Sequence, residues 1–358
     1  MTTLIKAECY CGSNKFKVPL KTAELPTGAA MCHCNSCRHA TGATNVVDIS
    51  FDGHPLSPEA TDANGPPGDI SNFTQYKSSS GMTRYFCSKC SCKMFFKGED
   101  HEGKTQWYVS SAVLEKIDGV QNLATHIWVG DTVDGGAAAH VPRFAGKTLP
   151  RFKESRGQEE VAPDYGTNTI GSPPTDSEKD SALRFYCHCK GVEFYLKRAT
   201  EIKDPEKEWW LAPGKACSDP IRFTTEHCLC TSCRLTSGAM LPSWTFVPNT
   251  HVLDARTMEP INLTDAEKRP PTLQQFESSP NVHREFCRTC GANVFYWKPG
   301  NAPRMDIATG LLDHEQAGGA RANTWLKWSS DSVGYEQDAF SQEWLQAVME
   351  GIKSEADL

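Results

Sequence analysis

At 358 residues the chain is longer than one hydrophobic core usually supports, so two domains are expected. Its 39% hydrophobic and 23% charged residues are ordinary for a globular protein, and no run of about 18 apolar residues exists to span a bilayer. A net charge of −7 with no Lys/Arg block excludes a general phosphate-binding surface, so neither nucleic acid nor membrane is expected as a partner.

The opening "MTTLIKAECY" has neither the apolar core of a signal peptide nor the Arg-rich character of a transit peptide, which points to the cytoplasm, with access to the nucleus left open. In that compartment thiols stay reduced, so the sixteen cysteines are expected to hold metal rather than to form disulfides.

In chain order the cysteines fall into one pattern repeated twice. Cys9 and Cys11 precede "KFKVPL", whose apolar residues alternate as in a half-buried strand. Cys32, Cys34 and Cys37 follow in "MCHCNSCRHATGA". The polar stretch 55–72 reads as a surface insertion, and "MTRYFC" leads into Cys87 and Cys90. "KMFF", "QWYVSSAV" and "HIWVG" complete the first copy as strands. The second copy repeats this order with Cys187 and Cys189, then Cys228, Cys230 and Cys233 in "EHCLCTSCRLTSGA", then Cys287 and Cys290 after "VHREFC". Its own insertion spans 203–220, and "NVFYW", "RMDIATGLL" and "NTWLKW" are the matching strands. Fourteen of the sixteen cysteines obey the repeat, with Cys92 and Cys217 outside it, so the repeat and not chance clustering must explain them.

The expected organisation is a first zinc domain over 1–152, a Pro-, Gly- and Ser-rich linker over 153–181, a second zinc domain over 182–338 and a C-terminal helix over 339–358. Phe340, Trp344, Leu345, Val348 and Ile352 share one helical face, which is expected to pack on the second domain.

Two kinds of site emerge. Cys9, Cys11, Cys87 and Cys90 form one set of four, and Cys187, Cys189, Cys287 and Cys290 another, the closed arrangement of structural zinc. The triples supply three thiolates and no fourth cysteine, as in catalytic zinc with an open position. Water, a substrate thiol or a histidine could fill it; His33, His39 and His227 are candidates but stand at non-equivalent places. A centre with three thiolates is a poor Lewis acid toward water and suits holding a fourth sulfur as thiolate. Attack of that sulfur on an electrophilic carbon, or the reverse cleavage, is the expected chemistry. Arg38 and Arg234, placed alike after each triple, are the candidates to bind a carboxylate of the thiol substrate. The Thr41-Gly42-Ala43 and Ser237-Gly238-Ala239 segments read as tight turns. His126 reads as a core or surface residue, because the second copy has no counterpart.

Carried by "CYC", "CHCNSCRHATGA" and "FCSKC" in one copy, and by "CHC", "CLCTSCRLTSGA" and "FCRTCG" in the other, the chain resembles a tandem of two domains of the glutathione-dependent formaldehyde-activating enzyme and centromere protein V family. The resemblance covers roughly 4–145 and 182–335. It implies a mainly β chain of two β-tent (Mss4-like) domains, each with a four-cysteine structural zinc and a three-cysteine catalytic zinc. It also implies carbon–sulfur lyase chemistry, with glutathione and formaldehyde as the small-molecule thiol and carbonyl. Leu229 stands where the first copy has His33, and Gly291 where it has Ser91, so the two copies are not expected to be equal in activity. The alternatives are a zinc-stabilised binding or scaffold protein, and an enzyme of specialised metabolism using the same metal site on a larger substrate.

Overall fold

The computed structural model describes residues 1–99, 103–166, 182–214, 219–301 and 303–356. In the first copy the alternating segments form β1 (Thr2–Glu8), β2 (Lys15–Lys21), β3 (Thr27–Cys32), β4 (Val46–Phe51), β5 (Phe73–Ser79), β6 (Met82–Cys87), β7 (Lys93–Glu99), β8 (Thr105–Ser110) and β9 (Gln121–Ile127). A single short helix, α1 (Asn35–Thr41), interrupts them. β1 and β2 make a separate antiparallel hairpin, while the main sheet runs β9-β3-β4-β8-β7-β6-β5. All neighbours are antiparallel except β3 and β9.

The expected linker begins inside this fold. β10 (Arg151–Phe152) pairs with β9, and β11 (Glu160–Val161) pairs with β10, so 153–166 returns to the first sheet. The rest of the linker, 167–181, lies outside the described residues, as does Cys217.

The second copy repeats the path. β12 (Ala182–Tyr186), β13 (Glu193–Lys197) and β14 (Arg222–His227) precede α2 (Thr231–Ser237). β15 (Ser243–Pro248), β16 (Val252–Asp254), β17 (Leu273–Ser279), β18 (Val282–Cys287), β19 (Asn293–Trp297), β20 (Arg304–Ala308) and β21 (Leu326–Trp328) follow. Its sheet runs β21-β14-β15-β20-β19-β18-β17, again with the late strand parallel to its neighbour. The chain is therefore mainly β, a pair of tent-like copies, closed by the helix α3 (Gln342–Ala356). Among the described residues no helix is long and apolar enough to cross a membrane.

The copies are fused rather than tethered. Leu229, Met240, Leu241 and Val333 belong to the same buried cluster as Met31, Val47 and Phe95 of the first copy. That cluster also takes the apolar face of α3, in which Trp344, Ala347, Val348 and Ile352 are buried. The helical face expected from the sequence is buried, but it packs on the first copy as well as the second: Trp344 meets Phe144 at 5.4 Å between ring centroids, while Phe340 meets Arg234. Heptad-like spacing defines a face and carries nothing about which surface lies within reach.

A reciprocal contact sets the two copies together. Gly42 and Gly238 end α1 and α2 in the left-handed conformation, at φ 81° and 63°, and their N–H groups donate to Arg38 O and Arg234 O. A Cβ on Gly42 would lie 2.2 Å from Asn293 O, and one on Gly238 the same distance from Lys93 O. Each turn thus needs glycine for its own backbone and for close approach to the opposite copy.

At this contact the buried Lys93 Nζ donates to Asn293 Oδ1 at 2.9 Å, an oxygen that also accepts from Ser91 Oγ at 2.7 Å. Burial lowers the Lys93 ammonium to about 7. Between pH 7 and the unfolded lysine's value near 10.4 the unfolded chain binds the extra proton, so stability rises with pH across that window, by roughly 4 kcal/mol. Thermal melts from pH 7 to 10 should show this rise, and Lys93→Met should flatten it; a variant with the same slope as the wild type would contradict the assignment.

Candidate metal centres and the cleft beside the second

Four groups of cysteine sulfurs converge, each with all its sulfurs within 4.8 Å of one another. Two are the expected sets of four, Cys9, Cys11, Cys87 and Cys90, and Cys187, Cys189, Cys287 and Cys290. Two are the triples Cys32, Cys34 and Cys37, and Cys228, Cys230 and Cys233. All fifteen described cysteines are free thiols. A metal–sulfur bond of about 2.3 Å places tetrahedral neighbours about 3.8 Å apart. The Cys9–Cys11 and Cys11–Cys87 sulfurs lie 3.6 Å apart, and the Cys187–Cys189 and Cys189–Cys287 sulfurs 3.5 Å apart, so these residues fit a thiolate-bound ion. Each set of four ties the turn after an N-terminal strand to the β6–β7 or β18–β19 turn.

The triples are built identically. The first cysteine ends or follows a strand, the second caps a helix, and the third lies in its first turn. Cys34 Sγ accepts from Cys37 N, and Cys230 Sγ from Cys233 N, both at 3.3 Å. Thr41 and Ser237 hydroxyls donate to Cys37 O and Cys233 O and accept from Ala43 N and Ala239 N, which spends them on the turn.

Among the described residues no histidine or carboxylate joins either triple. His33 Nε2 lies 3.0 Å from His126 Nδ1, and His39 Nδ1 lies 2.7 Å from Tyr186 O. His227 lies between His140 and Ser243, at 2.8 Å from each. The three candidate fourth ligands are therefore buried structural residues, as is His126, and the triples keep three protein ligands.

Arg38 and Arg234 require a correction. Both are buried, and their guanidinium groups are engaged with the protein: Arg38 with His33 O at 3.2 Å and with the Asn35 side chain, Arg234 with Ala112 O while stacked 3.8 Å from the Phe340 ring centroid. They follow the third cysteine directly, but the helix turns them away from the sulfurs. The arginines that face the triples are Arg84 and Arg284. Arg84 donates to Cys37 Sγ at 3.5 Å; Arg284 donates to Cys233 Sγ at 3.4 Å and to Ser232 Oγ at 2.9 Å. Their recurrence three residues before Cys87 and Cys287 was the available sequence signal. A buried guanidinium beside three thiolates offsets their charge. Arg284→Met is expected to weaken metal retention by the second triple ~10- to 100-fold while the sets of four keep their metal, measured by chelator competition. Unchanged retention would contradict this role.

Each triple is also approached by the other copy. Tyr10, between Cys9 and Cys11, donates to Ser278 O at 2.9 Å and helps line a cleft that opens on Cys228, Cys230 and Cys233. His188, between Cys187 and Cys189, lies 3.3 Å from Ser36 Oγ within the first triple's helix and 2.6 Å from Tyr76 Oη. The middle residue of each Cys-x-Cys pair thus serves the opposite copy's triple.

The second cleft has a volume of about 370 Å³, within the range of small-molecule sites. Trp209, from the insertion expected only as a surface loop, forms part of its wall beside Trp244, Phe246 and Tyr296. Cations reach it from Arg284, Lys298 and Arg304. Asp306 lies in the same wall; burial raises its carboxyl to about 7 against the opposing charge of Arg304. In the first copy the Asp48 carboxyl is also raised to about 7, by burial and then by the Cys37 thiolate, with Arg84 opposing.

A family model described as glutathione-dependent formaldehyde-activating enzyme matches residues 4–131 and 216–328, about two thirds of the chain. The second match begins after Cys187 and Cys189, although the structure brings both into a set of four equivalent to that of the first copy. No individually curated protein matches the chain.

Proposed function

Because the chain belongs to the glutathione-dependent formaldehyde-activating enzyme family, we propose that it is a zinc-dependent carbon–sulfur lyase-like enzyme that adds a thiol to a carbonyl carbon, or reverses that addition. Glutathione is the thiol we assign, with formaldehyde or a larger carbonyl as its partner. The observation that carries this reading is a three-sulfur group, with no fourth protein ligand among the described residues, opening into a cleft.

Cys228, Cys230 and Cys233 would hold the zinc, which when bound would supply the positive charge that acidifies an incoming thiol. Arg284 and the Cys233 and Cys230 N–H···S geometry keep the three protein sulfurs in place and offset their charge. Lys298 and Arg304 line the cleft and suit the carboxylates of a glutathione-like thiol, the role first expected of Arg234. Trp209, Trp244, Phe246 and Tyr296 supply apolar contact for the substrate beside the triple. In the reaction the S–C bond forms, the C=O π pair moves to oxygen, and that oxygen takes up a proton. Sets of four in each copy serve as structural zinc sites.

The cleft of about 370 Å³ has to take the thiol together with the carbonyl, and its volume suits a glutathione-sized adduct. We place the activity in the cytoplasm, where thiols remain reduced. The test is exchange NMR of glutathione with formaldehyde and with aryl aldehydes in the presence of the zinc-loaded chain. Accelerated adduct formation is expected; an unaltered exchange rate with fully metal-loaded protein contradicts the proposal.

A further inference from the structure

Two buried polar atoms of residues lining the cleft at the second triple have no hydrogen-bond partner among the described residues: Trp244 Nε1 and Asp306 Oδ1. The residues are 5% and 7% exposed, so water does not compensate freely for the missing bonds, and a buried unsatisfied donor or acceptor is costly. Arg304 Nε stands 3.6 Å from Asp306 Oδ1, close enough for an ion pair with the carboxylate but beyond hydrogen-bond distance. The two residues share one face of the sheet: Trp244 pairs with Ala308, and Phe246 with Asp306, making Trp244 and Asp306 diagonal neighbours across β15 and β20. The cysteine triple borders the same cleft.

An indole N–H can only donate, and a carboxylic acid can donate its proton. We propose that Trp244 and Asp306 form an oxygen pocket for the carbonyl substrate of the second site, both donating to its oxygen, with Asp306 supplying the proton as the S–C bond forms. This rests on the thiol–carbonyl reading above. The balance is simple: the thiol loses its proton, sulfur bonds to carbon, the π pair moves to oxygen, and the Asp306 proton passes to that oxygen. The proton lost by that thiol returns through solvent to the Asp306 carboxylate and restores the acid. The carboxyl is held near 7 by burial, with Glu226 raising it and Arg304, Arg284 and Lys298 lowering it, so the acid form is available at neutral pH.

The first copy repeats the pair with its members exchanged. Asp48 and Trp244 each lie sixteen residues after the first cysteine of their triple, and Tyr108 takes the register position of Asp306. Asp48 pairs with Ser110 and Ser50 with Tyr108, so a carboxyl and a neutral aromatic donor again stand diagonally, on opposite strands from their counterparts.

The test uses the full zinc-loaded chain with Cys34→Ser to silence the first triple. Indole ¹⁵N–¹H spectra are recorded with S-acetylglutathione, which carries a carbonyl on the carbon bonded to sulfur. The cross-peak absent from Trp244→Phe should shift on binding. Asp306→Asn should bind S-acetylglutathione at least ~10-fold more weakly and lose ~100-fold or more in thiol–carbonyl turnover. It should also lose the fall in rate as pH rises through about 7, and Asp306→Glu should recover part of the turnover. An unmoved Trp244 peak at saturating ligand, or Asp306→Asn turnover within twofold of the parent, overturns the oxygen pocket while the thiol–carbonyl reading stands. Absence of both S-acetylglutathione binding and turnover in the parent overturns that reading and the pocket with it.

Discussion

Changing Cys34 and Cys230 together to Ser is expected to reduce thiol–carbonyl turnover by more than ~100-fold while leaving a folded protein. The expectation follows from the double use of these residues. Each is one of three sulfurs in an open group, and each caps a helix by accepting an N–H from the third cysteine of its triple. Serine is a good helix cap, so the helix survives the change, but a hydroxyl is a poor replacement for a thiolate metal ligand. The loss should exceed the 10- to 100-fold typical of removing a residue that merely orients a ligand. Single variants divide the activity: Cys230→Ser should remove the turnover carried by the second triple, on which the 370 Å³ cleft opens. Metal analysis should show the two sets of four still loaded in the double variant. Undiminished turnover there would contradict a role for the triples.

Changing Cys87 or Cys287 to Ser is expected to act on the fold. Each sulfur closes a set of four that ties a terminal hairpin to the main sheet. Apparent zinc binding in small structural sites contributes roughly 10–16 kcal/mol, against a whole-domain stability of about 5–15 kcal/mol, so the loss of one such site removes most of the margin. The copies share a buried cluster through Leu229, Met240, Leu241 and Val333, and α3 from the end of the chain packs into it. Cys87→Ser should therefore lower the unfolding temperature of the entire chain in one calorimetric transition. Two separated transitions, with the second copy unchanged, would contradict the fused architecture.

The contrast between these variants mirrors what a sequence can and cannot disclose. The four metal groups were legible because thiols spaced by one or two residues can converge with little help from the rest of the chain, and the same spacings recur twice. The succession of strands along the chain was legible for the same reason, as matching segments follow one another in both copies, but which strands lie side by side in each sheet was not. The direction of a side chain was not. Arg38 and Arg234 are adjacent to the cysteines in sequence, yet helix geometry carries them into buried contacts with carbonyls. Arg84 and Arg284 are remote in sequence and reach the sulfurs because β6 and β18 run past them. The acids near the triples were hidden more deeply: Asp48, close to Cys37, and Asp306, in the cleft at the second triple, are not equivalent along the chain and are related only through cross-strand register. Tyr10 and His188 make the same point across copies, since nothing local to a Cys-x-Cys pair reveals that its middle residue serves the opposite triple.

Zinc-edge X-ray absorption of the fully loaded chain, before and after glutathione, tests the two-closed, two-open arrangement most directly. Two groups of four and two of three cysteines give a mean sulfur coordination of 3.5 per metal, which should rise toward 4 when the thiol is added. A mean of 4 from the outset, or a value that glutathione does not move, would contradict it.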